Sequence, residues 1–257
     1  MIFSLMTYNT YLNQAVKKLT ELLKIHHPDI LCLQEIETTE KNLKTIGDLG
    51  YVLADYSNSF IKFGKIYGLA TFYKIDTFKM SRSSTIFLRR SIFEFITSIS
   101  RLFKGGNKAK TVLTTKLIDP KSKKIITIYN VHLSVYGTNS IRLKQIKQVL
   151  KTIFPLRDLP VIIMGDFNYP YRRKKLEELT KSYYLKEATN NIPFTFTSFQ
   201  NKSCSWFSWL GDKIANLIGY KHYKLDYIFY KNIKCLGSEK IDVGFSDHFP
   251  IISRFQL

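Results

Sequence analysis

The sequence predicts an α/β protein with a single domain, and three observations lead to this fold class. Short apolar runs of strand length alternate with a few stretches whose apolar residues recur at helical spacing. Neither an internal repeat nor a linker-like change of composition divides the 257 residues, a length that can bury a substantial core. Several of the apolar runs end in acidic, amide or histidine side chains, which makes the strand ends the candidate site.

The predicted elements follow one another along the chain. A strand, "IFSLMTYN", stops at Asn9, and a helix follows over 14–26. "PDILCLQEI" is a continuous apolar run, typical of a strand buried on both faces, and it ends on Gln34-Glu35. "GLATFYK", "TVLTTKLI" and "KKIITIYNVHLS" are predicted strands, and a second amphipathic helix covers 139–154. The last predicted strands are "LPVIIMGDFN", "KLDYIFYKN" and "DHFPIISRF".

Two amphipathic segments fall outside this alternation. Residues 86–103 place apolar side chains on one helical face and arginines elsewhere, and residues 204–219 group two tryptophans with Leu and Ile. Basic residues flank both segments. We therefore predict one domain over 1–257 that carries amphipathic insertions at about 82–110 and 202–221.

The chain carries a formal net charge of +19, with 39 Lys and Arg against 20 Asp and Glu. An excess of this size points to anionic partners, among them nucleic acid, anionic lipid and phosphorylated small molecules. The abundance of Lys together with Ile and Asn offers a compositional alternative, since a biased genome would produce it without any binding role. We expect nucleic acid as the first partner, peripheral contact with an anionic membrane as the second, and a monomeric protein.

The cysteines Cys32, Cys204 and Cys235 are odd in number and lack metal-like spacing. Cys32 lies in an apolar run and is expected to be a small core residue, which argues for a reducing compartment rather than a disulfide framework. The N-terminus lacks the features of a signal peptide, and no run approaches the roughly 18 apolar residues of a membrane-spanning helix. We therefore expect a cytoplasmic protein.

Polar side chains at the ends of apolar strands form the main candidate site. A buried strand tolerates such groups where its end opens to a cleft, because burying them unpaired is costly. A cap or a turn explains one such residue equally well, but it does not explain the repetition at six strand ends. The residues are Asn9, Glu35, Asn130 with His132, Asp166 with Asn168, Asp226, and Asp247 with His248.

This set of side chains suits a narrow range of chemistry. Carboxylate and amide oxygens are hard ligands for Mg²⁺ or Mn²⁺, and no Cys/His cluster suggests zinc. Magnesium usually takes one or two protein carboxylates and keeps its waters for a substrate phosphate, so Glu35 and Asp247 suffice. The remaining acids and histidines are then free to move protons and orient a water, and the amides can donate to phosphoryl oxygens.

Six motifs resemble, in order, those of the endonuclease/exonuclease/phosphatase superfamily of metal-dependent phosphodiesterases and phosphatases. They are "LMTYNT", "ILCLQEI", "IYNVHLS", "IMGDFN", "KLDYIF" and "SDHFP". Each motif alone is weak, but six in order are specific, and they span residues 5 to 252. The resemblance implies a four-layer α/β/β/α sandwich, with two mixed sheets packed face to face and helices outside, in which the polar strand ends meet in one cleft.

The resemblance also implies roles for the residues at these motif positions. Glu35 matches the principal metal ligand of the family, with Asn9 and Asp247 close by. Asp166 in "GDFN" looks like the group that orients or deprotonates the attacking water. Asn168 beside it would hold the phosphate.

The second half of the implied site is centred on two histidines. His132 in "NVHLS" looks like the residue that contacts the scissile phosphate or the leaving group, with Asn130 helping. His248 would bind the phosphate or activate water, and Asp226 of "LDYIF" would orient it, since a carboxylate on one ring nitrogen fixes the tautomer. The motifs leave open which residue is the general base and whether the site binds one metal ion or two.

Departures from the family pattern indicate which branch of the superfamily this chain resembles. AP endonucleases typically carry Tyr where this chain has "NVHLS", so His132 favours the branch that includes deoxyribonucleases and sphingomyelinases. The implied activity is Mg²⁺- or Mn²⁺-dependent hydrolysis of a phosphodiester by metal-assisted attack of water. The motifs define the reaction better than the substrate.

Two substrate hypotheses follow from the remaining features, and we favour the first, a nuclease. The basic run at 172–175 could track a phosphate backbone while Tyr169 and Tyr171 stack on bases; the alternative for this run is a solvated helix N-terminus. The second hypothesis is a phospholipid phosphodiesterase, or a lipid or inositol phosphatase, acting at a membrane surface. Segments 86–103 and 204–219 combine aromatic and basic residues as interfacial helices do, unless they extend the core or cover a sheet edge.

Overall fold

Two mixed six-stranded sheets packed face to face form the centre of the molecule, which confirms the predicted fold class. The structure, a computed structural model, describes residues 1–90, 110–135, 137–156, 158–197 and 222–257. Segment 204–219 and most of segment 86–103 therefore lie outside the described residues. Within the described ranges, no helix is long and apolar enough to cross a membrane.

The first sheet has the strand order β13-β14-β1-β2-β4-β3. Its strands are β1 (Ile2–Asn9), β2 (Ile30–Glu37), β3 (Val52–Lys62), β4 (Lys65–Tyr73), β13 (Lys234–Lys240) and β14 (Ile251–Gln256). The second sheet has the order β5-β6-β7-β8-β12-β9. Its strands are β5 (Lys79–Phe87), β6 (Thr111–Ile118), β7 (Ile125–His132), β8 (Val161–Asp166), β9 (Lys186–Glu187) and β12 (Asp226–Lys231). A short ribbon pairs β10 (Phe196–Thr197) with β11 (His222–Tyr223).

Helices cover the outer face of each sheet. Among the described residues they are α1 (Val16–His26), α2 (Glu40–Gly47), α3 (Asn139–Ile153) and α4 (Arg173–Lys181). Apolar side chains of α1 and α2 pack on the first sheet, and those of α3 and α4 pack on the second. A third cluster, which includes Phe3, Ile30, Ile128 and Ile162, fills the space between the sheets. Burial of these three clusters is the main driving force for the four-layer arrangement.

Each sheet contains one parallel strand pair, and that pair lies near its centre. β1 runs parallel to β2, and β7 runs parallel to β8, whereas every other pair in the two sheets is antiparallel. Gly165 permits the second of these pairs, because a Cβ atom there would lie 2.1 Å from the carbonyl oxygen of Val131. Its φ of +134° is also a conformation that few other residues adopt.

The elements that sequence patterning missed are mostly polar or short. β3, β5 and β13 lie at sheet edges and carry many polar residues, so they lack the continuous apolar run of a buried strand. The first residues of the predicted insertion at 82–110 belong to β5, which pairs with β6 up to Phe87. The last strand, β14, begins only at Ile251, so Asp247 and His248 lie in the turn before it rather than within the predicted strand.

Candidate active site

The strand ends of the two sheets meet at one edge of the sandwich. The register of the parallel pairs aligns Asn9 with Gln34 in the first sheet and His132 with Asp166 in the second. Asp226, the first residue of β12, is paired with Asp166 because β12 runs antiparallel to β8. The two sheets are joined here by a hydrogen bond of 3.0 Å that Asn9 Nδ2 donates to Asp166 Oδ2.

Asp166 is the centre of this arrangement and is only 1% exposed. Its Oδ2 atom accepts hydrogen bonds from Asn9 and, at 3.1 Å, from Asn168 Nδ2, while Oδ1 accepts from the Asn168 backbone amide at 2.8 Å. The same Oδ2 lies 3.6 Å from His132 Nε2 and 3.8 Å from His248 Nε2. Burial, helped by the neighbouring carboxylates and opposed by His248, raises the pKa of Asp166 to about 7.

His248 is held by a buried chain of hydrogen bonds. Its Nδ1 atom lies 2.7 Å from Asp226 Oδ2, and its backbone amide donates to Ser246 Oγ. Asp226 Oδ2 also accepts a 2.7 Å bond from the Thr195 hydroxyl. Burial alone would lower the pKa of His248, but the carboxylates of Asp226, Asp166 and Asp247 outweigh burial and raise it well above the ordinary value. The surrounding carboxylates therefore favour the protonated form of His248.

The pKa of His132 is shifted in the opposite direction. Its ring is fully buried, with Nε2 at 3.6 Å from both Glu35 Oε1 and Asp166 Oδ2. Burial, then the positive charges of Lys110 and His248, lower the pKa of His132 well below the ordinary value. The pKa values of the two histidines beside Asp166 are therefore shifted in opposite directions.

Glu35 enters the site because β2 is irregular at this point. The β2–β4 register skips Glu35 between Gln34 and Ile36, and its φ is +54°. Such a bulge re-aims a side chain. Glu35 Oε2 accepts a 3.1 Å hydrogen bond from the Leu12 amide, and the side chain keeps 14% of its surface exposed.

Asp247 lies on the same side of the site and is half-buried. Its Oδ1 accepts a 3.1 Å hydrogen bond from the Ser246 hydroxyl. Burial, opposed by His248 and reinforced by the negative charge of Glu35, raises the pKa of Asp247 to about 6. Two carboxylates thus repel each other at the open side of the site, where a cation would relieve the repulsion.

A different set of side chains has the spacing of a metal site. Ligand atoms of Asp166, Asp226 and His248 all lie within 4.8 Å of one another. However, Asp226 Oδ2 is already shared between His248 and Thr195, and the carboxylates around His248 favour its protonated form, so this cluster suits a proton more than a cation. The oxygen donors of Glu35, Asp247 and Asn9 fit Mg²⁺ or Mn²⁺ better.

The structure separates the two predicted phosphate-binding amides. Asn168 borders the cleft, is half-buried, and its Nδ2 donates to Leu133 O and to Asp166. Asn130 is fully buried behind the site, where Nδ2 donates to Leu33 O and Ala70 O while Oδ1 accepts from Gln34 Nε2. The side chain of Asn130 thus connects the two sheets and does not border the cleft.

Three side chains near the site were not identified by sequence reasoning. Thr195 orients Asp226, Lys110 contacts His132, and Gln34 donates to Asn130. Gln34 could have been found from its place beside Glu35 at a strand end. Thr195 and Lys110 could not, because each reaches the site from outside the polar strand ends, and Thr and Lys are common surface residues.

The basic run after Asp166 is partly structural. Arg173 opens α4 and pairs with Glu187 at 2.8 Å and Glu177 at 3.1 Å. Tyr169 is fully buried, so the prediction that it stacks on bases is wrong for this conformation. Tyr171 is 55% exposed, and Arg172, Lys174 and Lys175 are exposed beside it.

Comparisons with known proteins agree with this geometry. The sequence profile described as the Endonuclease/Exonuclease/phosphatase family matches residues 6–248. A search of curated proteins found no match to this chain.

Solved structures share the fold at low sequence identity. The catalytic domain of human Nocturnin with bound sulfate superposes with a TM-score of 0.71 and 18% identity, over 99% of this chain and 93% of that one. The mannosyl-6-phosphatase of Bacteroides thetaiotaomicron gives 0.68 and 16%, over 99% and 100%. TDP2 of D. rerio in complex with a single-strand DNA product gives 0.66 and 14%, over 100% and 99%. The chain belongs to the Endonuclease/Exonuclease/phosphatase family of hydrolytic phosphoesterases.

Proposed function

We propose that the protein is a Mg²⁺- or Mn²⁺-dependent phosphodiesterase that hydrolyses a P–O bond by attack of water. The observation that carries the proposal is the environment of Asp166, a buried carboxylate between two histidine rings at 3.6 and 3.8 Å whose pKa values are shifted in opposite directions. Groups whose pKa values are pushed apart in one cleft are the usual basis of acid–base catalysis.

Glu35, Asp247 and Asn9 are the proposed ligands of the cation. Glu35 and Asp247 offer carboxylate oxygens at the open side of the site, and their mutual repulsion favours a bound positive charge. Asn9 would bind through Oδ1, the atom that accepts from the Tyr11 amide. When bound, Mg²⁺ or Mn²⁺ polarises a phosphoryl oxygen and offsets the charge that develops there.

The reaction divides its proton movements between Asp166 and His248. The oxygen of a water forms a bond to phosphorus while one water proton passes to the Asp166 carboxylate. As the bond to the leaving oxygen breaks, that oxygen takes a proton from the His248 imidazolium. The proton on Asp166 then returns to His248 Nε2, 3.8 Å away, which restores both groups. Asp226 and Thr195 hold His248 in the required orientation.

The remaining polar groups bind the phosphate in this proposal. His132 Nε2 and the side-chain amide of Asn168 lie next to Asp166 Oδ2, where they can donate to phosphoryl oxygens. Asn130 contributes indirectly, through the hydrogen bonds that hold the two sheets together behind the cleft.

Nucleic acid is the substrate class that we propose first. The net charge of +19 favours a polyanion, and exposed Tyr171, Arg172, Lys174 and Lys175 follow the loop that carries Asp166 and Asn168. Cations of this kind bind backbone phosphates, and an exposed aromatic ring can stack on a base. A similar fold binds single-strand DNA product in TDP2 of D. rerio.

A phospholipid is the second candidate, because both amphipathic sequence segments are joined to residues beside the site. Lys110, which follows the first segment, lies 3.3 Å from His132 Nδ1. The Thr197 amide, just before the second, donates to Asp247 O, and the Phe196 ring lies 5.1 Å from that of His248. Aromatic and basic residues in those segments would suit a membrane surface.

A hydrolysis panel tests the proposal. Plasmid DNA, single-stranded DNA, RNA, anionic and zwitterionic phospholipid vesicles, and bis-p-nitrophenyl phosphate are each incubated with Mg²⁺ or Mn²⁺, and with a chelator as the control. We expect metal-dependent cleavage of nucleic acid and of the soluble ester, with activity on nucleic acid falling steeply as salt rises. Cleavage of phospholipid vesicles without cleavage of nucleic acid would contradict the nuclease and support the phospholipid phosphodiesterase. No metal-dependent activity on any ester, or activity unchanged in both Glu35→Gln and His248→Ala, would refute the proposal.

A further inference from the structure

Lys110 is a charged residue at the site that the mechanism above does not use. It directly precedes β6, and its carbonyl oxygen accepts a 2.8 Å hydrogen bond from the Leu88 amide, which holds the backbone against the end of β5. Its half-buried side chain brings Nζ to 3.3 Å from His132 Nδ1 and 3.4 Å from Nε2. The ammonium group therefore reaches the same imidazole that faces Asp166.

Phe60 holds the ammonium group on its other side. Lys110 Nζ lies 4.8 Å from the centroid of the Phe60 ring, close enough for a cation–π contact. That ring packs edge-on to His132 at 6.3 Å and stacks on Tyr67 at 5.5 Å. Because Phe60 belongs to the first sheet and Lys110 directly precedes a strand of the second, contacts from both sheets place the charge before any ligand binds.

Charges of both signs lie close to the His132 ring. Its Nε2 atom lies 3.6 Å from Glu35 Oε1 and from Asp166 Oδ2, and 3.4 Å from Lys110 Nζ. The carboxylates repel a phosphate and need a cation to accept one, whereas the ammonium group attracts it directly. A phosphate that contacts His132 is therefore within reach of a positive charge supplied by the chain itself.

We propose that Lys110 binds the scissile phosphate, donating a hydrogen bond from Nζ to one of its non-bridging oxygens. This inference rests on the proposed phosphodiesterase activity and adds a substrate-binding residue to it. A fixed ammonium group beside phosphoryl oxygens stabilises the negative charge that grows there as water attacks. Both a nucleic acid and a phospholipid would present this phosphate, so the inference holds for either substrate class.

Lys110→Met, Lys110→Arg and the control Lys116→Met test the proposal. Lys116 lies in β6, the strand that Lys110 precedes, is half-buried as Lys110 is, and pairs in register with Thr127 and Arg82 rather than with the site. The readouts are kcat and KM for bis-p-nitrophenyl phosphate, the Kd of inorganic phosphate in the presence of Mn²⁺, the Kd of Mn²⁺ alone, and thermal unfolding.

We expect Lys110→Met to lower kcat/KM by about 100-fold and to weaken phosphate binding by about tenfold or more, without changing the affinity for Mn²⁺. Lys110→Arg keeps the charge and should recover most of both losses. Lys116→Met should match the wild-type protein in each assay.

Two results would overturn the inference. Phosphate affinity unchanged in Lys110→Met, with or without a fall in kcat, would mean that Lys110 does not bind the phosphate and acts at most through His132. Equal losses of kcat/KM and phosphate affinity in Lys116→Met would mean that the effect comes from general surface charge and not from a contact between Lys110 and the phosphate. The phosphate Kd is measured without turnover, so it separates this failure from failure of the proposed reaction; if Lys110→Met unfolds, Lys110→Gln is measured in the same assays.

Discussion

The two sheets contribute different kinds of groups to the same cleft. On the first-sheet side, Glu35 and Asp247 are partly exposed carboxylates with few hydrogen bonds. On the second-sheet side, His132, Asp166 and Asp226 are at most 2% exposed, and hydrogen bonds or close polar contacts surround them. Both sides are built at a central parallel strand pair, so the difference lies in the side chains and not in the topology.

This difference suggests a division of labour. Partly exposed carboxylates that repel each other can gain a cation at little cost, because water reaches them and each accepts one hydrogen bond, which leaves the other carboxylate oxygen for a cation. Buried and fully paired groups are preorganised for proton transfer, since their orientation is fixed before the substrate arrives. The central claim is therefore that the first-sheet side binds the metal ion while the second-sheet side, together with His248, moves protons.

The largest expected effect comes from removing a charge on the first-sheet side. Glu35→Gln should lower kcat/KM about 1000-fold, because the cation loses its principal carboxylate. Steady-state kinetics on bis-p-nitrophenyl phosphate measures the loss. Glu37→Gln, two residues along the same strand and paired with Lys65, is the control and should stay within about twofold of wild type. Equal activity of the two variants would contradict a metal role for Glu35.

A smaller loss is expected from the second-sheet side when Asp226 is neutralised. Asp226→Asn should lower kcat about 100-fold, since an amide would no longer stabilise the protonated ring of His248 at 2.7 Å. Asp119→Asn is a matched control, because Asp119 is also buried but caps the turn at Lys121 and Ser122. A kcat unchanged in Asp226→Asn would remove His248 from the proton pathway.

Substitution of Thr195 tests whether its hydrogen bond to Asp226 contributes to catalysis. Thr195→Val keeps the shape but removes the hydroxyl that donates to Asp226, and we expect a fall of about tenfold in kcat with little change in KM. Thr180→Val removes a buried hydroxyl within α4 and should cost stability without changing kcat. The stopped-flow rate and the thermal midpoint together distinguish the two variants. A rise in KM at constant kcat would place Thr195 in substrate binding instead.

The smallest effect on activity is expected behind the cleft. Asn130→Ala should lower the free energy of unfolding by about 2–3 kcal/mol, because Gln34 Nε2 and two carbonyl oxygens lose their partner. Its kcat should stay within about threefold of wild type after correction for the folded fraction. Urea unfolding and single-turnover kinetics provide the two values. A large loss of kcat at full stability would return Asn130 to the phosphate-binding role that the sequence suggested.

The sequence was informative about the centre of the fold and less so about its edges. Apolar runs identified β1, β2, β7 and β8 because strands buried on both faces need continuous hydrophobic residues. Edge strands such as β3 and β13 carry no such run, and their formation depends on pairing with a neighbour that only the folded chain supplies. Their polar residues also protect the sheet edges from aggregation.

Part of the candidate site was predictable for the same reason, because several of its residues end the continuous apolar runs of buried strands. Asn9, His132 and Asp166 end buried strands, so polarity at the end of an apolar run was enough to find them. The hydrogen-bond partners of each side chain were not predictable: Asn130 and His132 share a face of β7, but Asn130 donates to Leu33 O and Ala70 O of the first sheet, whereas His132 lies beside Glu35 and Asp166. Groups that reach the site from elsewhere, such as Lys110 and Thr195, leave no local pattern in the sequence.

Calorimetric titration of Mn²⁺ into wild type, Glu35→Gln and Asp226→Asn tests the division of labour most directly. The measurement needs no substrate and no turnover. We expect Glu35→Gln to weaken binding by at least about 100-fold and Asp226→Asn to stay within about threefold of wild type, although both are inactive or nearly so. The reverse result, with Mn²⁺ affinity lost in Asp226→Asn and kept in Glu35→Gln, would place the ion in the Asp166–Asp226–His248 cluster and contradict the account.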